Sequence, residues 1–240
     1  MLKIENTEVA GWEAAIRGMR NPMNSWEKSD SYPCTILNEI TEENRKYRCA
    51  GCKNEFVGKP NCMVIGQNDH DLMMRLRNSG TDHRKFMRMI AVYLDITAPL
   101  YWWKEFDTYK VGTVANSCST MHKIAAKEFT LEDFSCEHLE GRALNTLEDM
   151  VDELNYWRDY YLDMKKQNVV GAYTKAKNIW WQMIQLLPSS YNQKRTVMLN
   201  YEVLSNIYKS RKDHKLDEWH TFCDWVESLP HSELITGIKN

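Results

Sequence analysis

Aromatic, charged and small polar residues are packed together in the stretch from Thr97 to His122. The block YWWKEF at residues 101–106 precedes the polar run NSCST at residues 116–120. Two adjacent tryptophans beside charged side chains suit a ligand pocket, which has apolar walls and a few polar groups that orient the ligand. The alternative is an amphipathic helix whose tryptophans face the core, and helical periodicity allows this equally well.

Three side chains at the end of this stretch have groups that can act on a ligand. Ser119 offers a hydroxyl that can position a polar substrate, and His122 offers an imidazole that titrates near neutral pH. Asn116 offers an amide that can both donate and accept hydrogen bonds. We therefore consider Ser119 and His122 as candidate catalytic residues, with packing or helix capping as the alternative for the serine.

Four cysteines in a second region suggest a metal site. Cys49 and Cys52 are separated by two residues, and Cys34 and Cys62 flank this pair. Tetrahedral zinc sites with four cysteines normally use two short pairs, and only one pair is short here. We predict that the four thiolates hold a structural zinc ion. Four reduced thiols in a loop are the alternative.

Length, charge and hydropathy limit the class of protein. A chain of 240 residues can bury a core as one domain, and we predict a single domain, residues 1–240, with a cysteine-rich insert at about 30–66. The formal net charge of -2 gives no electrostatic reason to expect nucleic acid as a partner. No apolar run approaches the ~20 residues of a membrane span, and the N-terminus lacks an apolar signal core. We expect a cytoplasmic protein without a membrane partner.

Hydrophobic periodicity predicts an α+β architecture in which helices predominate. Strands are predicted at residues 2–4, together with Val9, and at residues 86–96, the latter buried on both faces. Pro99 is predicted to start a helix, because its missing N–H costs nothing there. The other predicted helices span residues 8–19, 69–78, 144–167, 172–187, 196–208 and 216–229.

Two blocks of the sequence together resemble the flavin-dependent thymidylate synthases. The first block is the predicted strand ending at Ala98-Pro99, then the aromatic helix from Trp102 to Phe106 and the polar stretch to His122. In that family an apolar strand also ends in Ala-Pro before a helix and a signature motif. The resemblance implies the family fold, a twisted sheet flanked by long helices.

The second block runs from Leu187-Pro188 through Trp219. It is similar to the Leu-Pro segment of the family and to its Asn-x-x-x-Leu-x-Asn helix, here with Asn200 and Asn206, followed by Arg211. Both blocks together cover most of residues 69–230. The cysteine-rich segment lies outside the resemblance.

The family signature, R-H-R-x-x-S-x-N-E-x-S-x-R-Y, is altered in this chain. Aligning Asn116 with the signature asparagine places Ser119 at the second serine and puts Tyr-Lys-Val, residues 109–111, where Arg-His-Arg stands. Ser117 replaces the glutamate, and Met-His at residues 121–122 replaces Arg-Tyr. Lysine cannot replace the lost guanidinium groups one for one, because only arginine offers a bidentate fork to phosphate.

The resemblance implies an FAD-dependent thymidylate synthase, a methyltransferase of nucleotide biosynthesis. It would reductively methylate deoxyuridine monophosphate (dUMP) or act on a related pyrimidine nucleotide. The candidate catalytic residues are Ser119, at the position of the second signature serine, and His122, whose imidazole can act as an acid or a base near neutral pH. The implied FAD-binding residues are Lys110, Asn116, Asn200 and Asn206. The implied substrate-binding residues are Arg211, Lys194, Arg195 and Ser119. A solvated basic face is the alternative for Lys194 and Arg195.

The resemblance also implies a homo-oligomer, because the family builds its sites between subunits. We predict a homotetramer, since aromatic residues are enriched at interface hot spots and the predicted helices contain Trp157, Tyr160, Tyr161, Trp180 and Trp181. The altered signature favours another interpretation, a non-catalytic nucleotide-binding or assembly protein on the same fold. The presence of a flavin spectrum would distinguish the two.

Overall fold

A computed structural model describes residues 2–33, 63–167 and 171–237. The four cysteines predicted to hold zinc lie outside the described residues, as does most of the predicted insert. The zinc site and the insert therefore stay predictions. Among the described residues, no helix combines the length and the apolar composition needed to cross a bilayer.

The described residues form helices and two small sheets, which confirms the predicted α+β class. The strands are β1 (Lys3–Ala10), β2 (Tyr32–Pro33), β3 (Met63–Val64), β4 (Ala91–Pro99), β5 (Val114–Ser117) and β6 (Asn192–Asn200). One sheet has the order β1-β4-β6-β5, and β2 pairs with β3 in an antiparallel ladder. The α-helices are α1 (Trp12–Arg20), α2 (Gln67–Asn78), α3 (Leu100–Phe106), α4 (Thr120–Lys123), α5 (Arg142–Lys166), α6 (Ala172–Leu186), α7 (Tyr201–Arg211), α8 (Asp217–Ser228) and α9 (Glu233–Thr236).

The strand β4 buries alternate residues, as a pleated strand with one covered face does. Val92, Leu94, Ile96 and Ala98 are buried, whereas Tyr93 between them is exposed. The prediction of burial on both faces was wrong for this reason. The predicted strand also started too early, because residues Arg84–Met89 form a 3-10 helix instead.

Two predicted helix starts differ from the structure. The first helix begins at Trp12, because Gly11 has φ 94° and a Cβ at that position would lie 2.0 Å from the carbonyl oxygen of Met89. The helix predicted from residue 196 begins at Tyr201, since residues 196–200 end β6. Val197 and Leu199 are buried two residues apart, which is the spacing of a strand face.

The chain divides into two compact units. The first comprises residues 1–3, 96–108 and 116–195, and the second comprises residues 4–95, 109–115 and 196–240. The prediction of a single domain stays a prediction. In the first unit, α5 and α6 confirm the two predicted helices and share a core that contains Leu147, Val151, Leu154 and Met183. The apolar face of α5 accounts for this packing.

The second unit contains α1, α2, α7, α8 and α9. Trp12, Ala15, Ile16 and Met19 are buried on α1, which confirms the face predicted for them. A buried ion pair links α1 to α2, because Arg20 Nε donates to Asp69 Oδ1 at 2.6 Å. Burial opposes ionisation of Asp69, but hydrogen bonds from Ser31, Ser29 and Arg20 hold its pKa below the ordinary value.

Candidate functional site

The tryptophans of the block at residues 101–106 are core residues. Helix α3 begins after Pro99, and backbone carbonyls of Tyr191 and Ser189 accept its first two N–H groups at 3.0 Å each. Trp102, Trp103 and Phe106 on this helix are fully buried and pack ring against ring. Of the two interpretations of this block, the buried amphipathic helix is the one the structure supports for these rings.

Arg195 of β6 lies on one of these rings. Its Cζ is 4.1 Å from the ring centroid of Trp103, a cation–π distance. Its guanidinium donates to Asp107 Oδ1 at 2.7 Å and to Gln193 Oε1 at 2.9 Å. Trp103 Nε1 donates to the Gln193 carbonyl at 2.9 Å. The guanidinium of Arg195 therefore lies between the buried ring of Trp103 and the carboxylate of Asp107.

Ser119, His122 and Asn116 lie on the exposed side of the first unit. Ser119 is the N-cap of α4, and its hydroxyl accepts the backbone N–H of His122 at 3.2 Å. Asn116 lies in the exposed strand β5. The backbone of Lys194 accepts the N–H of Cys118 at 2.9 Å, which ties β6 to this segment. A capping role is thus observed for Ser119, and the catalytic roles stay predictions.

In the second unit, the segment at residues 109–115 packs on α7. Arg211, the last residue of α7, donates from Nε to the hydroxyl of Tyr109 at 2.9 Å. Its Cζ lies 4.8 Å from the ring centroid of Trp219 and 5.6 Å from that of Tyr109. Two aromatic faces and a phenol hydroxyl hold the guanidinium, which is half-buried.

A second contact joins the same segment to the start of α7. Asn200 caps the helix, and its side-chain oxygen accepts the N–H of Val203 at 3.0 Å. Gly112 has φ 79°, and a Cβ there would lie 3.0 Å from Asn200 Nδ2 and 3.1 Å from Val203 Cγ2. Glycine is therefore required at this position both by its backbone conformation and by the close approach.

Asn206 lies on the exposed side of α7 beside two arginines. Arg84 donates from Nη2 to Asn206 Oδ1 at 3.1 Å and from Nε to Glu202 Oε1 at 3.3 Å. Arg88 also contacts the buried Glu202 through a hydrogen-bonded ion pair, which raises the pKa of Arg88. The carboxylate is thus shared between two guanidinium groups.

A basic cavity of about 320 Å³ opens next to Asn206. Its lining includes four cationic side chains, from Arg77, Arg84, Lys209 and Lys212. Burial, and then the nearby charge of Arg84, lower the pKa of Arg77. A cavity of this charge suits an anion such as a phosphate group, and its volume is at the small end for ligand sites.

The structure thus brings together some of the residues that the sequence indicated. Within the second unit, Asn200 and Arg211 both contact the segment that contains Lys110, and Asn206 borders the basic cavity. Ser119, His122, Asn116, Lys194 and Arg195 belong to the first unit. The sequence analysis missed the cavity. Its sequence signal is the three-residue spacing of Lys209, near the end of α7, and Lys212, the C-cap of that helix.

Solved structures match the fold, although no family model and no curated protein matches the sequence. Thymidylate synthase X from Helicobacter pylori, in a structure with FAD and dUMP, has a TM-score of 0.63 at 13% identity over 99% of this chain and 98% of that chain. A second H. pylori structure of this enzyme, also complexed with FAD and dUMP, has a TM-score of 0.61 at 14% identity over 99% of this chain and 100% of that chain.

The UMP/dUMP methylase PolB from Streptomyces cacaoi, bound with 5-Br dUMP, has a TM-score of 0.54 at 10% identity. That alignment covers 99% of this chain and 96% of that chain. Identities this low establish the fold alone. The chemistry of this chain must be inferred from its own residues. The chain has the fold of the flavin-dependent thymidylate synthases.

Proposed function

We propose that the chain binds a pyrimidine nucleotide and FAD, and that it reductively methylates dUMP or performs related pyrimidine-nucleotide chemistry. The main support is the contact between the segment at residues 109–115 and α7. Tyr109 and Arg211 are 102 positions apart in sequence and share a hydrogen bond. The sequence resemblance independently assigns a residue of each region, Lys110 and Arg211, to ligand binding.

We assign the nucleotide phosphate to Arg211. A phosphate oxygen forms a stronger, charge-assisted hydrogen bond with a guanidinium than the Tyr109 hydroxyl does. The adjacent Lys110 adds positive charge in the same segment. Lys194 and Arg195 of the first unit are proposed to assist substrate binding, Ser119 to orient the pyrimidine, and His122 to move a proton.

Lys110, Asn116, Asn200 and Asn206 are the residues proposed to hold FAD. The basic cavity beside Asn206 fits the charge of the FAD pyrophosphate, and at about 320 Å³ it would take only part of the cofactor. When bound, reduced flavin would supply the hydride, and methylene-tetrahydrofolate, the second substrate that the resemblance implies, would supply the carbon. The protein's own task is to fix the pyrimidine, neutralise phosphate charge and keep the reacting groups in position.

A second candidate function is non-catalytic nucleotide binding or assembly on the same fold. Two observations favour it. Arg195, a predicted substrate contact, already pairs with Asp107, and the signature arginines are replaced at residues 109–111. In this case the basic cavity beside Asn206 would bind an anion, but the protein would not catalyse a reaction.

Three measurements on the purified full chain separate these functions. A visible flavin spectrum, from the purified or FAD-supplemented protein, together with dUMP binding by calorimetry and methylation of dUMP, would support the enzyme. Binding of dUMP without flavin and without turnover would favour the non-catalytic alternative. If neither dUMP nor FAD binds, both nucleotide functions are wrong.

We also propose a homotetramer. Tyr156 on α5, with Tyr173 and Trp181 on α6, are exposed large aromatic side chains of the first unit. Exposed aromatic side chains on neighbouring helices suit an interface. Sedimentation at micromolar concentration should give four times the mass of the chain, and a monomer there would contradict the proposal.

A further inference from the structure

Three side chains with metal-ligating atoms converge in the second unit, outside the residues discussed so far. His70 lies in the first turn of α2, Glu233 begins α9, and His231 lies two residues before it. One ligand atom from each residue lies within 4.8 Å of the other two. His70 and Glu233 are 163 positions apart, so the fold rather than the local sequence brings them together.

The distances between these atoms suit a tetrahedral ion. His70 Nε2 lies 2.8 Å from Glu233 Oε1, and His231 Nδ1 lies 3.4 Å from the same oxygen. Bonds of about 2.0–2.1 Å to a tetrahedral zinc ion separate neighbouring ligand atoms by roughly 3.4 Å. Side-chain movements of about 1 Å would therefore centre an ion among the three atoms.

The surroundings of His231 hold its imidazole in place. The residue has φ 51°, in the left-handed region that residues other than glycine rarely adopt. The Tyr201 hydroxyl donates to the Pro230 carbonyl at 2.5 Å, and Trp12 packs edge-on against the imidazole with ring centroids 5.2 Å apart. Backbone strain of this kind is concentrated at functional sites, where the surrounding structure maintains it.

The ligand types select one class of ion. The cluster offers two imidazole nitrogens and one carboxylate oxygen. Two imidazoles and an ionised carboxylate are a ligand set that binds zinc and related transition metals. Calcium and magnesium are disfavoured, because they take oxygen ligands almost exclusively.

We propose that His70, His231 and Glu233 form a binding site for a divalent transition-metal ion of the zinc type, with the fourth position taken by water. The ion would join α2 to the start of α9 and replace the direct contact between His70 and Glu233. This site does not depend on nucleotide or flavin binding. It can therefore hold even if the proposed function fails.

The test is titration of the chelator-treated full chain with Zn²⁺ by calorimetry. All variants carry Cys49→Ser and Cys52→Ser, so that the predicted thiolate site does not contribute. We expect one Zn²⁺ per chain in this background. Glu233→Gln and His70→Asn should each weaken binding by more than about 100-fold, the upper end for loss of an outer partner of a metal ligand. His220→Asn, which changes an exposed histidine on α8, should leave it unchanged.

Thermal unfolding provides a second readout. Zn²⁺ should raise the Tm of the background protein and of His220→Asn, but not that of Glu233→Gln, because only an ion bound to the folded state stabilises it.

If Glu233→Gln does not fold, His231→Asn replaces it, since asparagine tolerates positive φ. If the serine background does not fold, Co²⁺ spectra of the wild type distinguish nitrogen and oxygen ligands from thiolates. Absence of stoichiometric binding, or equal binding by the ligand variants, would overturn the site.

Discussion

Two arginines of this protein lie over tryptophan rings, and the groups around them differ. In the first unit, Arg195 contacts Trp103 at 4.1 Å and forms an ion pair with Asp107. The buried ring and the carboxylate together fix the guanidinium. Through these two contacts Arg195 links β6 to the end of α3, which is a structural role.

In the second unit, Arg211 contacts Trp219 at 4.8 Å and donates to the hydroxyl of Tyr109. The aromatic contact is common to both arginines. In addition, Arg195 donates to the carboxylate of Asp107, and Arg211 donates to the phenol hydroxyl of Tyr109. A phosphate at Arg195 must compete with the carboxylate of Asp107. At Arg211, a phosphate oxygen can take the place of the Tyr109 hydroxyl as an acceptor. We propose Arg211 as the phosphate contact, because the sequence resemblance places it at the substrate-phosphate position and the carboxylate of Asp107 already pairs with Arg195.

The largest effect that this comparison predicts is the loss of stability on removing the ring beneath Arg195. Trp103 is 1% exposed, so Trp103→Ala should lower the free energy of unfolding by about 3–5 kcal/mol, as buried aromatic deletions do. Urea unfolding measures this directly. Trp181→Ala is the control, because Trp181 is 42% exposed and its removal should cost much less. Equal losses would show that Trp103 is not a core residue.

The second effect concerns nucleotide affinity and separates the two arginines. Arg211→Ala should weaken dUMP binding about tenfold or more, because a charged hydrogen bond lost from a site that excludes water costs roughly 1.5–3 kcal/mol. Arg211→Lys should recover only part of the affinity, since lysine lacks the fork. Arg195→Ala should change affinity less than Arg211→Ala. Calorimetric titration of all three variants is the measurement, and the reverse ranking would refute the comparison.

The sequence was sufficient for the parts of the fold that depend on long periodic patterns. The apolar faces of α1 and α5 were correctly predicted, because burial of one helix face imposes a regular spacing on the chain. The end of β6 was not correctly predicted. Val197 and Leu199 directly precede helix α7, and over so few residues the apolar pattern does not distinguish a strand from a helix. The α3 tryptophans were ambiguous, because aromatic residues serve both cores and ligand sites.

The candidate site was predictable only where a resemblance pointed to individual residues. Asn200 and Arg211 were selected in this way, and the structure shows that both contact the segment at residues 109–115. The sequence analysis missed the basic cavity and the cluster of His70, His231 and Glu233. Their members come from separate helices and turns, and a single sequence contains no signal for contacts between such distant positions.

The third effect concerns the close approach at Gly112. Gly112→Ala should destabilise the protein by about 1–2 kcal/mol for the left-handed backbone, and somewhat more for the new contact with Asn200. Gly171→Ala is a matched control, because Gly171 has φ 88° but nothing within 4 Å of its Cβ position. The difference between the two losses isolates the Asn200 contact. If both variants lose the same stability, the segment does not pack on α7 as described.

The smallest predicted effect is the coupling between Arg195 and Asp107, the ion pair of the first unit. The Arg195 side chain is 15% exposed, but Asp107 is 48% exposed, so solvent screens the pair. A double-mutant cycle with Arg195→Met and Asp107→Asn should therefore give a coupling free energy of about 0.2–1 kcal/mol. Methionine keeps an unbranched stem against Trp103, so the cycle reports charge rather than packing. The coupling should fall as salt is added. A coupling near zero at low salt would mean that Asp107 does not hold Arg195 in place, and that the carboxylate is no obstacle to a phosphate at this arginine.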